Sequence, residues 1–421
     1  MPCCALPGGN FNGGSFNNMS NNGNWWSATE NDASNAYNRN MNYNSDNMNL
    51  NNNNKNRGRS VRCVKDCSKE GISPPLFHEL MTAYYAARRY KRNTKNQLIF
   101  ERDLESQLLK LEHELLNYTY ELSPSVCFIN DFPIKREIVA ADFRDRVVHH
   151  LLCGRINPIF DRQFIHDSYS CRVGKGTLFG IKRAQGFLRG ASSDFKDPCW
   201  VLRLDIKGFF MAINRRILYN LTLKGLDKVH WSGVDNVDLT KYLLKKIIFN
   251  DPLDHATFRS LPQKWIGLPQ DKSLIGSSVG CGLPIGNLTS QLFANIYLNP
   301  LDHYIKRSLH IKYYGRYVDD MLFVHSDKNK LQKTIGAVKM YLKNELKLTL
   351  HPKKIKLQEA HKGFDFLGAR LYPNKVLPGK RILNNFSNSF KYPYKNVFKQ
   401  QNRVKSYEGI FKHFRYFKSQ F

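Results

Sequence analysis

The stretch from Tyr313 to His325 constrains this chain more than any other. It reads Tyr313-Tyr314-Gly315-Arg316-Tyr317-Val318-Asp319-Asp320-Met321-Leu322-Phe323-Val324-His325. Tyr, Phe and Val on both sides of an acidic pair predict two short strands joined by a tight hairpin, with Asp319 and Asp320 at the turn. Two carboxylates cannot be buried side by side without a counter-charge, so they are either water-facing turn residues or they face a divalent cation. An Asp pair in a turn is by itself ordinary turn chemistry, and the metal reading needs a second carboxylate source. Trp200-Val201-Leu202-Arg203-Leu204 offers one, an apolar strand followed by Asp205, Ile206, Lys207, Gly208 and two phenylalanines. Hard Mg2+ takes oxygen ligands, and a two-metal centre for phosphoryl transfer, with ions about 3.5–4 Å apart, suits acids drawn from separate strands. The alternative for Asp205 is an edge-strand acid bonded to a neighbouring backbone group.

With 421 residues the chain has room for two or three domains. Its 64 Lys and Arg against 35 Asp and Glu leave a net charge of +29, which fits a phosphate-rich partner or an anionic membrane surface. No apolar run reaches spanning length, and the polar, Asn-rich beginning is unlike a signal peptide, so the expectation is a cytoplasmic protein without a membrane partner. Nine cysteines are scattered; Cys63 and Cys67 are the only close pair outside Cys3 and Cys4. Neither a disulfide framework nor a zinc ribbon is indicated.

Leu204-Asp205-Ile206-Lys207-Gly208-Phe209-Phe210 and Tyr317-Val318-Asp319-Asp320 resemble the first palm motif and the most recognisable palm motif of reverse transcriptases. The resemblance implies an α+β right-hand polymerase: an antiparallel palm sheet backed by helices, fingers, and a short helical thumb. It implies RNA-directed DNA synthesis, in which a primer 3′-oxygen attacks the α-phosphate of a dNTP, with two Mg2+ ions held at Asp205, Ile206, Asp319 and Asp320. Lys354, the second lysine of His351-Pro352-Lys353-Lys354, matches the position of a general acid for the pyrophosphate; phosphate neutralisation is its alternative role. The expected organisation is an Asn-rich segment over 1–66, a basic helical extension over 67–125, fingers over 126–204, a palm over 205–369 with a helical insert at about 215–280, and a basic C-terminal segment over 370–421.

Further residues follow from the same resemblance. Arg136 stands where an arginine grips the triphosphate, with Lys135 beside it, and a planar guanidinium suits phosphate oxygens. Phe210 would exclude a ribose 2′-hydroxyl, although one of Phe209 and Phe210 is expected in the core because adjacent strand residues face opposite ways. Arg172 and Lys175, in a Gly- and basic-rich turn that lacks P-loop spacing, are candidates for nucleic-acid backbone contact. Asp145 and Arg146 read as a structural ion pair at a helix start. Phe366, Leu367 and Gly368 resemble the primer-grip hairpin. Leucines and Tyr84 recur at three- and four-residue spacing from Leu76 to Leu115 and predict helices, with Arg88, Arg89, Lys91, Arg92 and Lys95 clustered between them.

Gly282-Leu283-Pro284-Ile285-Gly286-Asn287-Leu288-Thr289-Ser290-Gln291 discriminates among subgroups. Most reverse transcriptases carry Gln-Gly followed by Ser-Pro here. Ile285-Gly286 followed by Ser290-Gln291 is similar to the diversity-generating retroelement group, with Ile285 and Gly286 at the dNTP and Asn287, Ser290 and Gln291 towards the nucleic acid. Replacing the Gln by an aliphatic residue implies weaker checking of the templating pair and lost fidelity at adenine. Residues 1–66 fit that group too. Trp25-Trp26-Ser27-Ala28-Thr29-Glu30-Asn31 and Gly58-Arg59-Ser60-Val61-Arg62-Cys63-Val64-Lys65-Asp66 resemble the end of a C-type-lectin-like or formylglycine-generating-enzyme-like domain. Asn codons are adenine-rich, so the segment reads as translated template repeat. The plainer alternative is a solvated Asn-rich tail, and either way the composition leads to an expectation of disorder. The group implies a basic, pentameric accessory variability protein as partner, besides template RNA, primer or cDNA and dNTPs, in a prokaryotic or phage-encoded setting. A retron-type or abortive-infection enzyme, or a non-catalytic RNA-binding relative, are the other readings.

Overall fold

The acids of the two motifs sit on one four-stranded antiparallel sheet within the Ser73–Phe421 unit, one of two units into which the chain divides; the other is Met1–Ile72. The computed structural model describes residues 8–12, 15–19, 22–42, 48–55, 76–89, 93–131, 134–228, 236–391 and 397–416. Lys91, Arg92 and the lectin-like 58–66 stretch lie outside these residues.

In the first unit β1 (Gly8–Asn12) pairs with β2 (Ser15–Met19), and β3 (Asn22–Glu30), β4 (Asn35–Asn42) and β5 (Met48–Asn54) form an antiparallel meander. This differs from the disorder expected from composition. Asparagine can supply local hydrogen bonds that a strand and its turns use. Asn38 is buried and its Nδ2 donates to the Asn51 carbonyl at 3.2 Å. Asp32 Oδ1 accepts from the amides of Ser34 and Asn35, both at 2.8 Å, and closes the β3–β4 connection.

The second unit opens with α1 (Leu76–Arg88), α2 (Lys95–Arg102) and α3 (Leu104–Leu116). The expected apolar stripe is real: Leu80, Tyr84, Leu108, Leu111 and Leu115 are buried, whereas Leu98 is exposed. Arg88 pairs with Glu101 at 2.5 Å rather than standing free. A fingers sheet follows, β7 (Arg136–Ala140) against β6 (Val126–Asn130), and α4 (Phe143–Asp161) starts at Asp142, whose side chain accepts from the Arg144 amide. Next come α5 (Thr177–Ala191), β8 (Trp200–Leu204), a single turn α6 (Phe209–Ala212), α7 (Arg215–Leu226) and α8 (Val237–Phe249). Asn214 and Asn236 cap α7 and α8 by accepting from the amides of Ile217 and Leu239. The helical insert thus ends at α8; β9 (Thr257–Phe258) returns to add a parallel strand to β6.

The palm is completed by α9 (Leu288–His303), β10 (Tyr313–Tyr317), β11 (Asp320–His325), α10 (Lys328–Glu345) and β12 (Lys356–Glu359). Strand order is β10-β11-β8-β12, so β8 is an inner strand. Alternate residues of the sheet face different cores. Leu202, Leu204, Met321 and Phe323 join the cluster built on α1, α4, α9 and α10, while Val201, Leu322 and Val324 face α5 and the hairpin of β13 (Phe364–Phe366) and β14 (Ala369–Tyr372). Coverage on both sides explains why β8 and β11 read as near-continuous apolar runs. β15 (Lys375–Pro378) extends the β13–β14 sheet, and α11 (Lys380–Lys391) and α12 (Val397–Tyr416) end the chain.

The outer edge of β10 is closed by the 167–169 segment: Arg316 N donates to the Asp167 carbonyl at 2.8 Å, and Tyr169 N to the Arg316 carbonyl at 3.0 Å. Tyr169 is fully buried against Gly315, where an added Cβ would lie 2.1 Å from its hydroxyl. Gly315→Ala should therefore destabilise the fold by about 1–3 kcal/mol, the usual cost of overpacking a tight core. Urea denaturation measures it; an unchanged midpoint would mean that Tyr169 does not seat there.

Candidate active site

Register brings the acids together. Met321 of β11 lies opposite Leu204 of β8, and the next step towards the tip sets Asp320 opposite Asp205. On the other flank Lys356 lies opposite Arg203, and His351 N donates to the Asp205 carbonyl at 2.8 Å. β10 and β11 close with Tyr317 opposite Asp320, so the two-residue turn is Val318–Asp319. This corrects the expected placement of the Asp pair: Asp320 is already the first residue of the return strand. Val318 has φ 55°. Two-residue hairpin turns take a positive φ at their first central position, where glycine is the usual choice. A β-branched residue there is strained, and such strain persists only where its surroundings impose it.

Electrostatics at the tip are unbalanced. Lys354 Nζ donates to Asp205 Oδ2 at 2.8 Å, with 18% of the Asp205 side chain exposed. Arg203 Nη2 lies 3.6 Å from Asp320 Oδ2. Asp319 has no cation within ion-pair distance among the described residues, and burial, followed by the charge of Asp205, pushes its carboxyl up to about 6. Burial also raises Asp320, against the pull of Arg203. Oxygen-only donors with unmet negative charge fit a hard divalent cation. Among the described residues no group of three or more acidic, His or Cys side chains is arranged to hold a metal ion, and Asp205 is paired with Lys354.

A profile of the family described as reverse transcriptase (RNA-dependent DNA polymerase) matches residues 135–371, more than half of the chain. The chain belongs to the reverse transcriptase family. Protein YkfC of Escherichia coli (strain K12) is similar, at 23% identity over 316 residues covering 66% of this chain and 74% of YkfC. Among solved structures, apo telomerase of Candida tropicalis truncated from its C-terminal domain matches at 11% identity and a TM-score of 0.44, over 65% of this chain and 60% of that one. Telomerase of Candida albicans, in complex with a fragment of telomeric RNA, matches at 11% identity and 0.40, over 68% of this chain and 50% of that one. This chain therefore spans less than two thirds of those telomerase chains. The reaction class that goes with the family is RNA-directed DNA polymerisation, and the architecture is α+β with antiparallel sheets.

Within this reverse transcriptase the remaining sequence-predicted residues divide into exposed and structural ones. Arg136 is exposed at the start of β7. Lys135 is a strut, donating to the Ile266 carbonyl at 2.8 Å. Phe209 is core and Phe210 half-buried, but they sit on the α6 turn rather than on a strand. Ile206 has its side chain in the core, leaving only its main chain to meet a metal. Gly286, at φ 132°, approaches Ile138 and Val139 so closely that a Cβ would sit 3.1 Å from Ile138. Phe366 is buried; Leu367 and Gly368, both with positive φ, form the β13–β14 turn and are half-buried, Leu367 packing on the cluster that holds Tyr169 and Ile181.

Four of these expectations fall on residues that make contacts within the protein itself. Arg172 is 7% exposed and binds Asp161 and the carbonyls of Ile165 and Ser168, leaving it a latch for the loop after α4. Lys175 donates to the His166 carbonyl at 2.5 Å. Asn287 is buried and its Oδ1 accepts from the Ala141 amide, and Ser290 is buried as well; of that trio only Gln291 is exposed, accepting from Cys171 Sγ. Asp145 pairs with Arg144 and accepts from Tyr120 Oη at 2.7 Å, while Arg146 caps the Ala141 carbonyl instead. Polar residues near a helix start satisfy backbone as readily as ligands.

Three functional-site neighbours escaped the sequence reading. Arg203 immediately precedes the first palm motif and reads as strand interior. Glu137, buried on β7, accepts from Trp265 Nε1, Ser273 Oγ and Leu274 N and so ties the 262–274 segment to the fingers. His149 is buried against Thr289 Oγ1, and burial lowers it to about 3, so it is neutral. Their partners lie more than a hundred residues away, and only an approach signal between distant segments would have found them.

Asp319 takes up a proton on folding between its ordinary 3.8 and about 6. Its contribution favours the folded state at low pH and is lost as pH rises through 6. Asp319→Asn should therefore raise the melting temperature of the metal-free protein at pH 7.5, with the gain shrinking towards zero as pH falls to about 4. A lower or unchanged melting temperature at pH 7.5 would contradict the burial of this charge.

Proposed function

We propose that this reverse transcriptase makes adenine-mutagenic cDNA from the template-repeat RNA of a diversity-generating retroelement, for targeted variation of a lectin-fold protein gene. The observation that carries the reading is Ile285 with Gly286, followed by Ser290 and Gln291. Ile285 packs at the small cluster that also holds Phe210, and its carbonyl accepts from Val139 N at 3.0 Å. Its side chain has no donor or acceptor to test the templating pair, so discrimination rests on shape alone. Removing a polar contact from such a site relaxes selectivity far more than removing a methylene.

Asp205, Asp319 and Asp320 hold two Mg2+ ions, with Ile206 contributing through its main chain. When bound, these ions stabilise the charge on the attacking primer 3′-oxygen and on the departing pyrophosphate. Arg136 grips the triphosphate, Phe210 excludes a 2′-hydroxyl, and Lys354 neutralises or protonates the pyrophosphate. The half-buried β13–β14 turn at Leu367 and Gly368 supports the primer. The net charge of +29 favours template RNA and cDNA, and a basic pentameric accessory protein completes the assembly. Residues 1–66 are template repeat read in frame. No helix among the described residues is long and apolar enough to cross a membrane, and the enzyme works in the cytoplasm.

Sequencing cDNA made from a defined adenine-containing RNA, with and without the accessory protein, tests this. Misincorporation should concentrate at template adenines, and Ile285→Gln should lower it by about a hundredfold or more, since a hydrogen-bonding site discriminates more strongly than an apolar one. Faithful cDNA with no adenine bias would reject the diversity-generating role in favour of the retron-type reading. Asp319→Asn should abolish synthesis and leave RNA affinity within about twofold, since phosphate contacts carry that affinity; synthesis retained by this variant would remove the metal assignment.

A further inference from the structure

A buried ion pair stands directly behind the catalytic turn. Arg316 of β10 and Asp302 of α9 are both fully buried, and the guanidinium forks onto the carboxylate, Nε to Oδ1 at 2.8 Å and Nη2 to Oδ2 at 2.6 Å. Tyr314 Oη donates to the same Asp302 Oδ1 at 2.7 Å. The remaining arm of the fork reaches forward: Nη1 donates to the Val318 carbonyl at 2.8 Å. Longer contacts join it to Asn295 Oδ1 and Ser168 Oγ, both at 3.4 Å.

Two features make this more than core packing. A buried ion pair adds little stability over an apolar pair of similar volume, because desolvation cancels most of the attraction. And the arm that is not spent on Asp302 ends on the one residue of the hairpin held at a positive φ without being glycine or asparagine. The Val318 carbonyl belongs to the peptide that links it to Asp319, so fixing that carbonyl fixes the direction in which Asp319 leaves the turn.

We propose that Arg316, held by Asp302, is a positioning residue: its hydrogen bond to the Val318 carbonyl imposes the strained turn that turns the Asp319 carboxylate towards Asp205 and Asp320. The inference rests on the reading of those three acids as the nucleotidyl-transfer centre. A guanidinium is required because its planar fork serves the carboxylate and the carbonyl at once, which an ammonium cannot do. Glycine at 318 would adopt the turn unaided, and so would make the clamp dispensable.

The test uses the full chain, Mn2+ alone as the metal probe read by electron paramagnetic resonance, and dTTP incorporation on a poly(rA)–oligo(dT) template. Arg316→Met combined with Asp302→Leu removes both charges and leaves neither unpaired. This double variant should melt within a few degrees of wild type, bind Mn2+ about tenfold more weakly, and lose about a hundredfold in kcat with KM for dTTP nearly unchanged, the scale expected for a displaced reacting group. Adding Val318→Gly, compared with Val318→Gly in the wild-type background, should restore most of the Mn2+ affinity. If the double variant fails to fold, Arg316→Lys decides: it should fold and lose about tenfold in Mn2+ affinity. A folded double variant with wild-type Mn2+ affinity and kcat, a folded Arg316→Lys variant with the same, or a weakened double variant that Val318→Gly does not rescue, overturns the clamp. Asp319→Asn run alongside separates the two claims. If it is inactive while the double variant is fully active, only the clamp fails; if it is active, the reading of the acids fails.

Discussion

The antiparallel register between β8 and β11 is the constraint on which the site depends. A strand pair has a side-chain period of two, so a slip of one residue would exchange the sheet's two faces and carry Asp205 away from Asp320. The register is fixed by burial on both sides. Leu202, Leu204, Met321 and Phe323 fill one core, and Val201, Leu322 and Val324 fill another. Neither set can trade places without exposing or overpacking a core. The acids are thus placed by hydrophobic residues that take no part in chemistry, and they sit where the apolar pattern ends, at the tip of the sheet.

Placing three carboxylates together costs free energy, and the fold offsets it unevenly. Lys354 neutralises Asp205 and Arg203 faces Asp320, while Asp319 is left with its affinity for a proton raised. An acid that prefers a proton in the metal-free protein also has the most to gain from a divalent cation. The same economy governs the turn. Val318 is strained, and removing one partner of the buried pair behind it would strand a charge at a cost of about 3–5 kcal/mol, whereas removing both would not.

Much of this was legible in the chain itself. Strand–Asp-Asp–strand and strand–Asp–Ile–Lys–Gly–Phe–Phe announced the palm, because local β pattern and acids at strand ends are both short-range signals. Helices α1 and α3 were equally plain from leucine spacing. What sequence could not give was the partner of a polar side chain. Arg172, Lys175, Asn287 and Ser290 have the chemistry of nucleic-acid ligands, and what the sequence does not show is that Arg172, Lys175 and Asn287 also bond the protein's own backbone and that Ser290 is buried. Arg316 was hidden for the converse reason: nothing in its Tyr-rich strand names a partner, and α9, from the preceding motif, supplies Asp302. The Asn-rich segment also differed, since composition speaks to hydrophobic burial and says little about whether ladder hydrogen bonds form.

The central claim is that acids from two separate strands share one pair of divalent cations. A crystal structure of the enzyme with Mn2+, a primer–template duplex and a non-hydrolysable dNTP, with the metal located by anomalous scattering, tests it most directly. The account predicts two peaks about 3.5–4 Å apart, contacting Asp205 and Asp319, with Lys354 withdrawn from Asp205. Nucleic acid and nucleotide bound in the cleft with no metal peak at the β8–β11 tip, or with metal bound away from it, would contradict it.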